Sequence, residues 1–178
     1  MGIPTLISTA TASGASSVNI TSGIDSTYDE YMFVLTDINV GTDSAEFQFN
    51  GSIDGGSNYN VTKTTTSFYA YNIEDDSSTS LGYWAAGDHA QSTSDQMLWE
   101  NMGSGADESG AAILHLFTPA STTYVKHFYF RSQQNNATEY CIDLFVAGYF
   151  NDTNDIDAIT FKTSTGTFDG VIQMYGIA

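Results

Sequence analysis

Residues 45–59 read A-E-F-Q-F-N-G-S-I-D-G-G-S-N-Y, and the fold class turns on how that stretch alternates. Ala45, Phe47, Phe49, Gly51 and Ile53 fall on one face of an extended chain, and Glu46, Gln48, Asn50 and Ser52 on the other. A period of two with one apolar face is the pattern of a strand that covers a core. Asp54-Gly55-Gly56-Ser57-Asn58 then supplies residues that accept positive φ, so the chain reverses there. Tyr59 opens a new extended segment.

Upstream, residues 28–40 form a long β-prone run that is apolar on both faces at its centre, as in a covered strand. Gly41-Thr42-Asp43 links it to the strand above, which predicts an antiparallel hairpin between the two. Residues 5–10 and 18–20 read as short strands, the first edge-like. Downstream, strands are expected at 59–63, 67–73, 112–117, 124–132, 139–150, 158–163 and 167–177. In the 139–150 strand Tyr140, Ile142, Leu144 and Val146 face inward, while Glu139 and Asp143 face away. Residues 81–110 are broken up by Gly, Asp, Ser and His. Within them 96–102 is read as a strand carrying Trp99, the alternative being a helical turn capped by Asp95 and ended by Gly103. Short strands, polar turns and almost no helix signal predict an all-β chain: one antiparallel β-sandwich domain, jelly-roll-like, over residues 1–178. Its expected core holds Phe47, Phe49, Ile53, Ile142, Leu144 and Val146.

Composition narrows the function. Four basic residues face 21 acidic ones, for a net charge of −17, and that field repels phosphate backbones, so nucleic acid is not an expected partner. No apolar run reaches the length of a membrane span, and no basic, apolar leader opens the chain. Cys141 is the only cysteine, so an intrachain disulfide and a cysteine zinc site are both excluded; its strand setting suggests a small, at least half-buried residue.

Chemistry-bearing clusters are few. Asp152, Asn154, Asp155 and Asp157 crowd oxygen donors at spacings able to wrap a calcium ion, although the glycine and terminal glutamate of an EF-hand loop are missing and a solvated turn explains them equally. Tyr83 and Trp84, set beside the irregular loop that carries His89, are the candidate aromatic platform, for a glycan or for an interface. His115 and His127 lie on strands without a second ligand at metal spacing. No nucleophile elbow, P-loop, dinucleotide fingerprint or zincin motif is present, so the chain is not read as an enzyme, and no cofactor beyond calcium is expected.

Three segments together resemble a β-sandwich module of tailed-phage virion proteins, in particular structural and fibre-like proteins of marine and cyanobacterial phages. They are G-I-D-S-T-Y-D-E-Y at 23–31, S-I-D-G-G-S-N-Y at 52–59 and F-D-G-V-I-Q-M-Y-G-I at 168–177. The resemblance implies a capsid decoration (cement) protein on the outer head surface, or a tail-fibre or adhesin domain that binds host-surface glycans. A sandwich that begins almost at Met1 leaves no room for a fibre shaft, which favours decoration. The implied partners are the major capsid protein and further copies of this chain, as a trimer or dimer.

Overall fold

The computed structural model describes residues 2–178, and every regular element in them is a strand. In chain order these are β1 (Thr5–Ala15), β2 (Ser17–Ile20), β3 (Glu30–Val40), β4 (Ala45–Ser52), β5 (Lys63–Ile73), β6 (Thr79–Tyr83), β7 (His89–Ser92), β8 (Gln96–Met102), β9 (Gly110–Phe117), β10 (Lys126–Asn135), β11 (Tyr140–Phe150), β12 (Ala158–Thr163) and β13 (Phe168–Ile177). They form two antiparallel sheets packed face to face. One has nine strands, in the order β1-β13-β3-β9-β10-β11-β5-β6 with β7 also on β5; the other has four, β2-β12-β4-β8.

The pairing is nested. β1 pairs with β13, β2 with β12, β3 with β9 and β4 with β8, as if one long ribbon had been folded over and rolled up. The first four strands alternate between the sheets, and β3–β13 and β4–β12 contacts close the roll. Those eight strands make a jelly roll. Two insertions, β5–β7 and β10–β11, widen only the larger sheet, which therefore overhangs β8 on one side.

The expected hairpin between residues 28–40 and 45–53 does not form, because its two strands lie in opposite sheets. Their link is an arch. Gly41 N–H donates to the Thr167 carbonyl (2.7 Å) and Ser44 N–H to that of Met102 (2.8 Å), each reaching a different sheet. Ser44 takes φ 62°, the left-handed bend that swings the chain across. The arch lets the apolar rows of β3 and β4 point at each other across the core rather than lie side by side. Residues 96–102, read as a strand, are β8.

Phe49 sits at the centre of that core, fully buried. Its ring lies 5.4 Å from Phe128, 5.9 Å from Phe130, 6.2 Å from Phe161 and 6.5 Å from Phe150, edge-on to all but Phe161. Such edge-to-face pairs add to the stabilisation from area burial. Of the expected core, Phe47, Phe49, Leu144 and Val146 are buried, whereas Ile53 and Ile142 are half-buried at its margins. Cys141, expected to be at least half-buried, is exposed, because the inward register of Ile142 and Leu144 turns it outward.

Two of the four basic residues are inside. Lys63 and Lys126 flank Phe150 in register across β5, β11 and β10, and all three are fully buried. Lys63 Nζ donates to the Ser94 carbonyl at 2.5 Å and lies 5.9 Å from the Phe150 ring centroid. Lys126 Nζ donates to the Asp152 carbonyl at 3.1 Å. Neither ammonium contacts a carboxylate, so burial lowers both pKa values, that of Lys63 to about 8, against a weaker opposing pull from acids nearby.

Two measurements test this packing. Phe49→Ala is expected to cost about 3–5 kcal/mol in denaturant unfolding, the range for emptying a buried phenylalanine site. Stability should also rise with pH. Between about pH 8 and the unfolded lysine value near 10.5, the native state has released the Lys63 proton that the unfolded chain still holds. The gain is about 3 kcal/mol at most. It is checked above pH 10 by Tyr31 and Tyr59, whose pKa values burial raises. Urea midpoints measured from pH 7 to 10 should climb, and Lys63→Met should flatten most of the slope.

Candidate functional site

The overhang creates two surfaces. Among the described residues nothing covers the outside of the larger sheet, and alternation sends a row of large side chains to solvent. In register across six strands that row runs Tyr83 (β6), Phe68 (β5), Phe145 (β11), Arg131 (β10), Ile113 (β9) and Val34 (β3). Tyr83 is 59% exposed, Phe68 47% and Ile113 43%. Phe68 and Phe145 stack at 4.8 Å with their planes 5° apart, and the Arg131 guanidinium lies 4.9 Å from the Phe145 centroid. Arg131 is held there by Asp143, through Nε (2.9 Å) and Nη2 (2.7 Å). The neighbouring row sets Tyr129 against His115, stacked at 4.6 Å, and His115 Nδ1 meets the Glu30 carboxylate at 2.5 Å.

The inside of the overhang is different. Past β8 the inward rows of β5 and β11 have no opposing strand, and they carry Tyr69, Tyr71, Tyr140 and Ile142 in place of small aliphatic residues. With Trp84, Trp99, Glu100 and Gln134 they line a pocket of about 150 Å³. Tyr69 and Tyr71 stack at 5.9 Å, and Tyr140 packs on Tyr71 at 5.0 Å. The β8 wall is fixed by side chains from the opposite sheet: Ser132 Oγ donates to the Leu98 carbonyl (2.6 Å) and Gln134 Nε2 to that of Glu100 (2.7 Å). Gln134 Oε1 is buried and has no hydrogen-bond partner. The Glu100 carboxyl has a raised pKa, chiefly from desolvation and then from repulsion by Glu46.

The residues singled out from sequence are dispersed. Tyr83 and Trp84 do not form one platform. Tyr83 ends β6 on the outer face, its hydroxyl donating to Asp88, while Trp84 turns inward, 9% exposed, into the pocket. Adjacent residues on an extended chain face opposite ways. His89 lies on β7, where its N–H donates to Thr65 Oγ1 (2.9 Å) and Nε2 meets the Asp95 carbonyl (3.0 Å). Thr65 Oγ1 in turn donates to Gln96 Oε1 (3.0 Å), so His89 belongs to a scaffold network.

The four oxygen-bearing residues of the 152–157 turn are likewise engaged separately. Asp152 Oδ1 accepts from Asn154 N–H (2.8 Å) and Nδ2 (2.9 Å), and the Asp157 carboxylate accepts from Gly55 N–H (2.9 and 3.0 Å). Asp155 is exposed on the turn. The cation that the loop meets is the Lys126 ammonium, at its Asp152 carbonyl. Among the described residues no group of three or more His, Cys, Asp or Glu side chains is placed to hold a metal.

The pocket escaped sequence reading because its wall comes from β5, β8, β10 and β11, which no local pattern joins. One signal existed: Tyr69, Tyr71 and Tyr140 stand at inward positions where aliphatic residues would close a core.

No family model and no curated protein matches the chain. Among solved structures it is similar to the marine PL-14 alginate lyase from Aplysia kurodai, at 12% identity and a TM-score of 0.30, over 86% of this chain and 72% of that one. A likeness of that size carries no argument about activity.

Proposed function

We propose that this protein is a virion structural protein: a decoration protein that seats on the outer surface of a capsid and strengthens it by bridging neighbouring coat subunits. The observation that carries the reading is the uncovered outer face of the nine-stranded sheet, where Tyr83, Phe68, Phe145, Arg131 and Ile113 form one aromatic and aliphatic row in register. Tyrosine, phenylalanine and arginine are enriched where proteins meet, and a flat sheet face of this kind fits a broad, repetitive partner. The likeness of residues 23–31, 52–59 and 168–177 to phage virion modules supports the same reading. So does the charge of −17, which keeps coated particles apart. The partner is the major capsid protein. Decoration sites fall on local symmetry axes, so copies of this chain meet there as a trimer or dimer.

Electron microscopy of virions, with density assigned to this chain, is the direct test; density confined to the tail would replace decoration by a fibre or adhesin role. The face itself is tested by Phe68→Ser combined with Tyr129→Ser. Each substitution removes a stacked ring, so the double variant is expected to lose about 1–3 kcal/mol in all. It should still fold, as far-UV circular dichroism checks, and yet fail to co-sediment with undecorated particles. Undiminished co-sedimentation would move the interface elsewhere.

A further inference from the structure

We propose that the pocket beneath the overhang is a binding site for an uncharged sugar ring, independent of the outer face and of whatever that face binds. Its walls are aromatic: Tyr69, Tyr71, Tyr140 and Trp84. Gln134, which also lines it, carries a buried Oε1 without a hydrogen-bond partner. The amide cannot satisfy itself by flipping, because Nε2 already donates to the Glu100 carbonyl at 2.7 Å and a reversed amide would set oxygen against oxygen. An acceptor left unpaired in a buried site costs stability unless a ligand or water donates to it. The missing partner is therefore a hydrogen-bond donor that also presents an apolar surface to stacked tyrosines.

A pyranose ring meets both demands, with C–H faces for the aromatic walls and hydroxyls at its edge for Gln134 and Glu100. The pocket volume of about 150 Å³ suits one such ring. Charge decides between sugar classes. No lysine, arginine or histidine lines the pocket, Glu100 stands on its wall, and the chain carries −17, so uronates and sialylated or sulfated sugars are repelled. A quaternary ammonium ion would suit the tyrosines but has no N–H to give Gln134. Trp84 joins this site to the sequence-level expectation of a glycan platform, but on the inner face and without Tyr83 or His89.

Both tryptophans lie in the pocket wall, so ligand entry reads out as a change in intrinsic fluorescence. Neutral hexose oligosaccharides, a uronate oligomer and tetramethylammonium, which has no hydrogen-bond donor, are titrated in parallel into the full chain. The expected result is saturable quenching or enhancement by at least one neutral oligosaccharide, and none by uronate or tetramethylammonium. Gln134→Leu should weaken that binding about tenfold or more, since a site built around one polar partner discriminates strongly when it is lost. Tyr71→Ser, which leaves Gln134 in place, should weaken it too. Far-UV circular dichroism of each variant separates lost binding from lost folding. Saturation by tetramethylammonium or uronate in place of neutral sugars, or no response to any probe at tens of millimolar, would overturn the proposal. So would unchanged affinity in both folded variants.

Discussion

Four strands cannot cover nine. The jelly roll proper supplies two sheets of equal width, but β5–β7 and β10–β11 were added to one sheet only. The two open faces of the larger sheet follow from that mismatch. Where the smaller sheet ends, at β8, its free carbonyls are met by Ser132 and Gln134 from the facing sheet instead of by another strand. Beyond it, aliphatic residues would stand in water, and tyrosines take their place because a ring with a hydroxyl tolerates a half-wet surface. At the other end of the same strands, Lys63 and Lys126 flank Phe150 in register, bury their alkyl stems and end on the backbone carbonyls of Ser94 and Asp152.

What was legible in the sequence was whatever depends on neighbours along the chain. Alternation in residues 45–53 placed Phe47 and Phe49 inward, and the 139–150 pattern placed Leu144 and Val146 inward and Asp143 outward. Strand existence and sandwich class followed. The pairing of strands did not. Gly41-Thr42-Asp43 looks like a hairpin turn, and only the acceptors at Thr167 and Met102, more than fifty residues away, make it an arch. The platform failed for a local reason: Tyr83 and Trp84 are consecutive, and consecutive strand residues cannot share a face. The buried lysines left no trace at all, since Lys63 and Lys126 sit in ordinary Thr-rich and Val-His surroundings.

The two faces of the overhanging sheet have complementary chemistry. Outside, planar groups stack on one another in a flat row with Arg131 among them, a surface for something broad. Inside, aromatic rings surround a small space with a single unmet acceptor, a surface for something small. One strand pair, β5 and β11, contributes to both: Phe68 and Phe145 point outward from the same backbone that carries Tyr69 and Leu144 inward.

Nested pairing also sets how the chain is made. β1 waits for β13 and β2 for β12, so the first strands leave the ribosome about 150 residues before their partners exist. Until then β1 to β4 have exposed edges and, in β3 and β4, rows of bare aromatic side chains, the condition under which newly made chains stick to one another. The net charge of −17 opposes that sticking, because like-charged chains repel. Folding is correspondingly of the slow, non-local kind, because the strands that meet lie far apart in the sequence.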